Sequence, residues 1–236
     1  MLIDRIKYLL APKVKLPFPV FFMHIPKTGG TTLRHKLTLK FPDSQVYPNQ
    51  ELMRKFGDRY PRYHELGDED YRCMQLARLV IGHYPIILKN KLPEDCKAIT
   101  FFRDPVQRAI SNLFHIYIYG KSNTNSLEEV FEHHSKTICN YQTRQMSGHW
   151  SIPEIGDESL EAAIHNLELI DCVCLTEQFD ASLDKIGSLL HINMGRNIIM
   201  NKHSLKKSAV APELMERIVS NNSLDQALYD LATKKF

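Results

Sequence analysis

Short apolar runs alternate with longer stretches whose apolar residues recur at helical spacing, and proline and glycine punctuate the joins. That alternation predicts an α/β chain with a central parallel sheet flanked by helices. Val20-Phe21-Phe22-Met23-His24-Ile25, closed off by Pro19 and Pro26, is short, continuous and rich in β-favouring residues, which suits a strand buried on both faces. Leu79-Val80-Ile81, Ala98 to Phe102 and Asp171 to Leu175 read as three further strands. Helices are predicted from Gly29, from Asp104-Pro105 to Gly120, from Ser126 towards His134, over 158–167, over 179–190, and from Pro212 to the end. Asp104 and Ser126 supply caps there, and proline is tolerated at a first helical position. The stretch 41–72 shows neither period; it is polar and aromatic, and predicts an irregular loop of the kind that covers a site.

Hydrophobic residues make up 43% of the 236 and charged ones 24%, which excludes a disordered chain. One domain over 1–236 is expected, with 1–17 as an N-terminal extension, because single cores stop growing near this length. Residues 1–10 suit a short amphipathic helix packed on that domain. Asp4 and Arg5 interrupt their apolar stretch, so neither a signal peptide nor a membrane span is expected. The net charge of +3 is too mild for a general nucleic-acid binder but leaves room for a local anion site. Five cysteines without CxxC or zinc spacing read as reduced thiols, with Cys172 and Cys174 as same-face neighbours on a strand. A cytoplasmic protein is the expectation.

The most informative stretch is His24-Ile25-Pro26-Lys27-Thr28-Gly29-Gly30-Thr31-Thr32, which passes from a buried strand into two glycines, three threonines and a helix start. Glycines let backbone N–H groups converge, the helix N-terminus adds partial positive charge, and Lys27 adds a full one. Phosphate or sulfate is the natural ligand. Lys27-Thr28 imitates the end of a nucleotide-triphosphate P-loop, G-x-x-x-x-G-K-[ST], but Phe21 and Pro26 stand where its glycines belong. A second constellation follows at Phe101-Phe102-Arg103-Asp104-Pro105, where a strand delivers Arg103 to its carboxyl end, and Ser111 lies two turns into the next helix. In open α/β sheets the ligand crevice lies at the carboxyl ends of strands, so both segments point to one ligand with two separated anionic groups.

The pair HIPKTGGTT and FFRDPVQRAISNLF resembles the two cofactor-binding segments of sulfotransferases that use 3′-phosphoadenosine 5′-phosphosulfate (PAPS). The likeness is strongest to the carbohydrate O-sulfotransferases of the heparan sulfate 2-O-sulfotransferase type and their bacterial relatives. Asn140 to Gly148, Leu175 to Leu183 and Asn201 to Ser208 extend it in order along the chain. The resemblance implies a P-loop-like three-layer fold and use of PAPS, with PAP as product. It implies Lys27, Thr28, Gly29, Gly30, Thr31 and Thr32 around the 5′ end, Arg103 and Ser111 at the 3′-phosphate, and Lys202 and Lys206 in a late basic loop over the nucleotide.

An acceptor hydroxyl needs a base as it attacks sulfur. His83 is the candidate: it follows the run Leu79-Val80-Ile81-Gly82 to a strand's carboxyl end, Gly82 leaves room for close approach, and the family has a base in a similar Gly-His. His24 reads as a packed or orienting residue. Lys27 is expected to stabilise charge on the oxygen of the leaving phosphate. No histidine or cysteine spacing suggests a metal. For a carbohydrate acceptor, the expected contacts are Arg59 and Tyr63 from the 41–72 stretch, and Arg144 and Gln145; a solvated loop reads the same way. Two alternatives stand: an ATP-dependent kinase, with Asp104 posing as a magnesium ligand, and a nucleotide-binding module without activity.

Overall fold

The computed structural model describes residues 15–120, 126–150, 152–195 and 210–236. In chain order these form β1 (Val20–Met23), α1 (Gly30–Thr38), β2 (Val46–Tyr47), α2 (Gln50–Lys55), α3 (Asp68–Leu76), β3 (Leu79–Gly82) and β4 (Lys97–Phe102). There follow α4 (Pro105–Tyr119), α5 (Leu127–Ile138), α6 (Tyr141–Ser147), α7 (Asp157–Asn166), β5 (Cys172–Leu175), α8 (Phe179–Leu190), α9 (Pro212–Ser220) and α10 (Ser223–Lys235). The five strands make one parallel sheet in the order β2-β3-β1-β4-β5, with β1 in the middle.

Strand side chains alternate between faces, and the core divides accordingly. Phe21, Met23, Val80, Ala98, Phe102, Val173 and Leu175 share one face with Tyr141 and Met146 of α6, Ala163 of α7, and Leu228 and Ala232 of α10. Val20, Phe22, Leu79, Ile81, Ile99, Phe101, Cys172 and Cys174 share the other with Leu33 and Leu37 of α1 and Leu183, Ile186 and Leu190 of α8. All four residues of β1 are buried, which is why that strand is continuously apolar. A satellite cluster joins α4, α5 and α9 through Ile110, Leu113, Phe131, Leu214 and Ile218. The predicted sheet flanked by helices is therefore the observed one. Cys172 and Cys174 lie on one face with their sulfurs 3.7 Å apart, both free thiols.

The stretch 41–72 departs from the expectation of an irregular loop. Part of it supplies β2, which pairs with β3 at the sheet edge, and it carries α2 and the start of α3. Asn49 caps α2 by accepting the Leu52 N–H at 2.9 Å. Helix α6 was likewise not anticipated. The expected helix at 1–10 and the basic loop with Lys202 and Lys206 lie outside the described residues, whereas Leu16 is packed into the core and its carbonyl accepts from Arg78.

Candidate active site

The chain leaves β1 at Met23, and His24 still donates its N–H to the Gly82 carbonyl at 2.9 Å, holding this end of β1 against β3. The turn that follows is shaped by two left-handed residues, Lys27 at φ 71° and Gly29 at φ 81°. Three of its carbonyls are tied down. The Thr28 hydroxyl donates to the Ile25 carbonyl at 2.8 Å, Arg103 Nη1 donates to the Lys27 carbonyl at 2.9 Å, and the Thr176 hydroxyl shares its proton between the carbonyls of Thr28 (2.8 Å) and Phe102 (3.0 Å). Among the described residues, the backbone amides from Lys27 to Thr31 donate to no acceptor. A strand-to-helix turn with three carbonyls already hydrogen-bonded and its amides without an acceptor at a helix N-terminus suits an anion.

Two cations frame these amides. Burial lowers the pKa of Lys27, and the neighbouring Arg103 charge lowers it further. No carboxylate of the described residues forms an ion pair with Lys27, Arg34 or Arg103. Asp104 is spent as the cap of α4, accepting the Gln107 N–H at 2.8 Å. Ser111 is half-buried on α4, one turn before His115, whose pKa is lowered by burial and then by the Lys27 charge. Residues four apart share a helix face, so Ser111 and His115 lie on one side of α4.

At the end of β3, His83 is open to solvent on one side and crowded by aromatic rings on the other. Its ring centroid is 4.7 Å from that of His24 and 4.9 Å from that of Tyr60, both edge-to-face. Arg34 of α1 lies over Tyr60 at 4.9 Å. The surrounding protein and the Arg34 charge push the His83 pKa down to about 4, so the imidazole is neutral at pH 7. Burial, and then the charges of His83, Arg34 and Lys27, hold the His24 pKa well below the ordinary histidine value. Its Nδ1 and the Tyr60 hydroxyl are buried with no hydrogen-bond partner among the described residues.

Gly30 has a reason other than backbone freedom. A Cβ there would fall 2.0 Å from Cδ2 of His24, so the absence of a side chain is what lets His24 lie under the turn and against His83. Gly30→Ala is expected to expel the His24 ring, lowering stability by about 1–3 kcal/mol as other overpacked sites do and moving His83. Thermal unfolding and histidine NMR shifts check this; an unchanged His24 environment overturns it.

Other expected contributors sit differently from the sequence reading. The Thr28 hydroxyl is committed to Ile25, leaving only the Thr28 amide for a ligand. Thr32 is buried, and Thr31 is exposed. The space beside Gly82 is filled by the chain's own Tyr84 ring, 2.1 Å from where a Cβ would stand, rather than kept open for a ligand. Arg59 forms a two-point pair with Glu65 at 2.8 Å per bond. Tyr63 is half-buried beside it in a short 3-10 turn. Arg144 is buried and donates to the carbonyls of His149, Ile152 and Pro153, which makes it a brace for those residues. Gln145 is fully buried, its amide 3.3 Å from the Tyr141 hydroxyl. The structure thus gathers Lys27, the 28–32 backbone, His83 and Arg103 at the carboxyl ends of β1, β3 and β4, sets Ser111 within α4, and leaves Arg144 and Gln145 in the interior. Arg34 and the packing role of Gly30 had no local sequence signal.

No protein-family model matches the chain, and no curated protein matches it by sequence. Among solved structures it is similar to a sulfotransferase from Alicyclobacillus acidocaldarius, at 17% identity and a TM-score of 0.50, over 89% of this chain and 95% of that one. It is also similar to mouse sulfotransferase SULT7A1 complexed with PAP, at 14% identity and a TM-score of 0.47 over 93% and 90% of the two chains. A third likeness is to retinol dehydratase in complex with androsterone and the inactive cofactor PAP, at 11% identity and a TM-score of 0.39 over 94% and 85%. The first of these carries the fold: the chain has the P-loop-like three-layer architecture of a sulfotransferase.

Proposed function

We propose that this chain is a PAPS-dependent O-sulfotransferase that moves a sulfuryl group to an acceptor hydroxyl, with a carbohydrate as acceptor. The observation that carries the reading is the meeting of a neutral, solvent-facing imidazole with an unsatisfied, doubly cationic anion turn at one end of the sheet. The preference for a carbohydrate rests on the sequence segments that resemble the heparan sulfate 2-O type. The free cysteines fit a cytoplasmic enzyme, and among the described residues no helix is long and apolar enough to cross a membrane.

The residues present fit the nucleotide. The amides of residues 27–31 and the Lys27 ammonium would hold its 5′ phosphosulfate, and Arg103 and Ser111 its 3′-phosphate, for which the arginine keeps donors beyond the one given to Lys27. When bound, PAPS supplies an activated sulfuryl group. His83 accepts the proton of the acceptor hydroxyl, for which an imidazole neutral at pH 7 is already in the right state. Lys27 places positive charge where negative charge develops as the phosphate leaves, in a half-buried position that strengthens its effect. His24 and Tyr60 orient the His83 ring by packing against it.

Thermal unfolding with PAP, with ATP plus magnesium, and with sulfate alone tests the assignment, because a ligand of the native state raises the midpoint. PAP is expected to raise it without magnesium, and Arg103→Ala to abolish most of that rise, since charge-assisted hydrogen bonds contribute about 1.5–3 kcal/mol each. A rise only with ATP and magnesium would support a kinase instead. No rise with either nucleotide would overturn the reading.

A further inference from the structure

We propose that Gln142 is a positioning residue for the anion site, acting through Arg103 on the left-handed Lys27; this rests on the sulfotransferase reading above. Gln142 is fully buried near the start of α6, and its side-chain amide grips Arg103 at two points. Oε1 accepts the Arg103 N–H at 3.0 Å, and Nε2 donates to the Arg103 carbonyl at 2.9 Å. An N–H and a carbonyl as partners fix which end of the amide is which. Strand β4 ends at Phe102, whose carbonyl accepts the Thr176 N–H at 2.9 Å, so the Gln142 amide continues strand-like pairing for the one residue that carries the guanidinium.

Gln142 is itself held on its backbone side. Asp225 of α10 accepts the N–H groups of Gln142 (3.1 Å) and Thr143 (2.7 Å), and Asn140 Oδ1 accepts the Asp225 N–H at 3.0 Å. The far end of the chain of contacts is the turn: Arg103 Nη1 donates to the carbonyl of Lys27, a residue with a side chain held at φ 71°. Residues other than glycine seldom adopt that conformation, and it persists where neighbours over-determine it. Arg103 therefore serves both segments, and its own placement depends on the Gln142 clasp. Losing the clasp frees the arginine at the 3′ side and loosens the brace on Lys27.

The test compares PAP with AMP, which lacks the 3′-phosphate, by calorimetric titration of the wild-type chain, Gln142→Met and Gln142→Glu. Met keeps the length and removes both hydrogen bonds; Glu keeps the acceptor for the N–H and sets an oxygen against the Arg103 carbonyl. Should Gln142→Met not fold, Gln142→Glu carries the same comparison. The preference of the wild type for PAP over AMP is expected to narrow at least five-fold in Gln142→Met and also in Gln142→Glu. A preference unchanged within two-fold would make Gln142 a packing residue and overturn the proposal, even if the unfolding midpoint fell. A wild-type chain that binds PAP no better than AMP would instead sink the PAPS reading, before any variant is considered.

Discussion

Replacing His83 by alanine is expected to lower the rate of sulfuryl transfer by about 100- to 10,000-fold, the range in which a positioned base contributes, while PAP affinity stays within about two-fold. The separation follows from geometry. His83 leaves the end of β3 against His24 and Tyr60, whereas the unsatisfied amides, Lys27 and Arg103 belong to the segments after β1 and β4. Turnover from PAPS with any acceptor that the wild type uses, set beside PAP titration, checks both halves. Weakened PAP binding with turnover intact would move His83 into the nucleotide site. The pH dependence has a definite sign: the base works neutral, so the wild-type rate falls as pH drops through the His83 pKa. With that value pushed down to about 4, the acid limb should have its midpoint well below the ordinary histidine value near 6.5. A midpoint at or above 6.5 would mean that a different group titrates.

Asp225→Ala is expected to have the largest effect on stability, lowering the unfolding midpoint by about 6–20 °C. Asp225 has no exposed surface, and neither has Arg108, whose Nε lies 3.9 Å from an Asp225 oxygen. Removing one partner leaves the other charge buried and uncompensated, which costs about 3–5 kcal/mol, and each kcal/mol moves the midpoint of a chain of this size by about 2–4 °C. The α6 amides of Gln142 and Thr143 lose their acceptor as well. Asp225→Asn keeps an oxygen for one of those amides and should fall between the alanine variant and the wild type. Thermal unfolding without ligand measures this, and a loss under 3 °C for the alanine variant would show that Arg108 is carried by the carbonyls of Thr137 and Ile138 instead.

Four of the five strands, the helices α1, α4, α5, α7 and α8, and the C-terminal helical region of α9 and α10 were legible in the sequence because each is specified locally, by a continuous apolar run, by a cap followed by helical spacing, or by a proline at a first helical position. The strand-to-helix turn after β1 was legible for the same reason: two glycines and a lysine between strand and helix constrain the backbone within a few residues. Strand β2 has only two residues and exists because Val46 and Tyr47 pair with Leu79 and Val80, so no local pattern announces it. Helix α6 depends on an acceptor 82 or 83 residues away in Asp225, and the Arg103 clasp on a partner 39 residues away.

Polar residues are where the sequence misled. Arg144 and Gln145 look like ligand contacts in a string of letters, yet α6 turns them inward, where Arg144 donates to three backbone carbonyls and the Gln145 amide nitrogen meets the Tyr141 hydroxyl, while Arg144 Nε and Gln145 Oε1 are buried with no partner among the described residues. Gly82 suggests open space, but the chain folds its own Tyr84 ring into it. The sequence by itself determined which segments make up the candidate site, since strand ends, glycines and charges are properties of neighbouring residues. Only the tertiary structure decided which side chains remain free to use it, because a hydrogen-bonding group is available to a ligand only if no partner distant in the chain has already satisfied it.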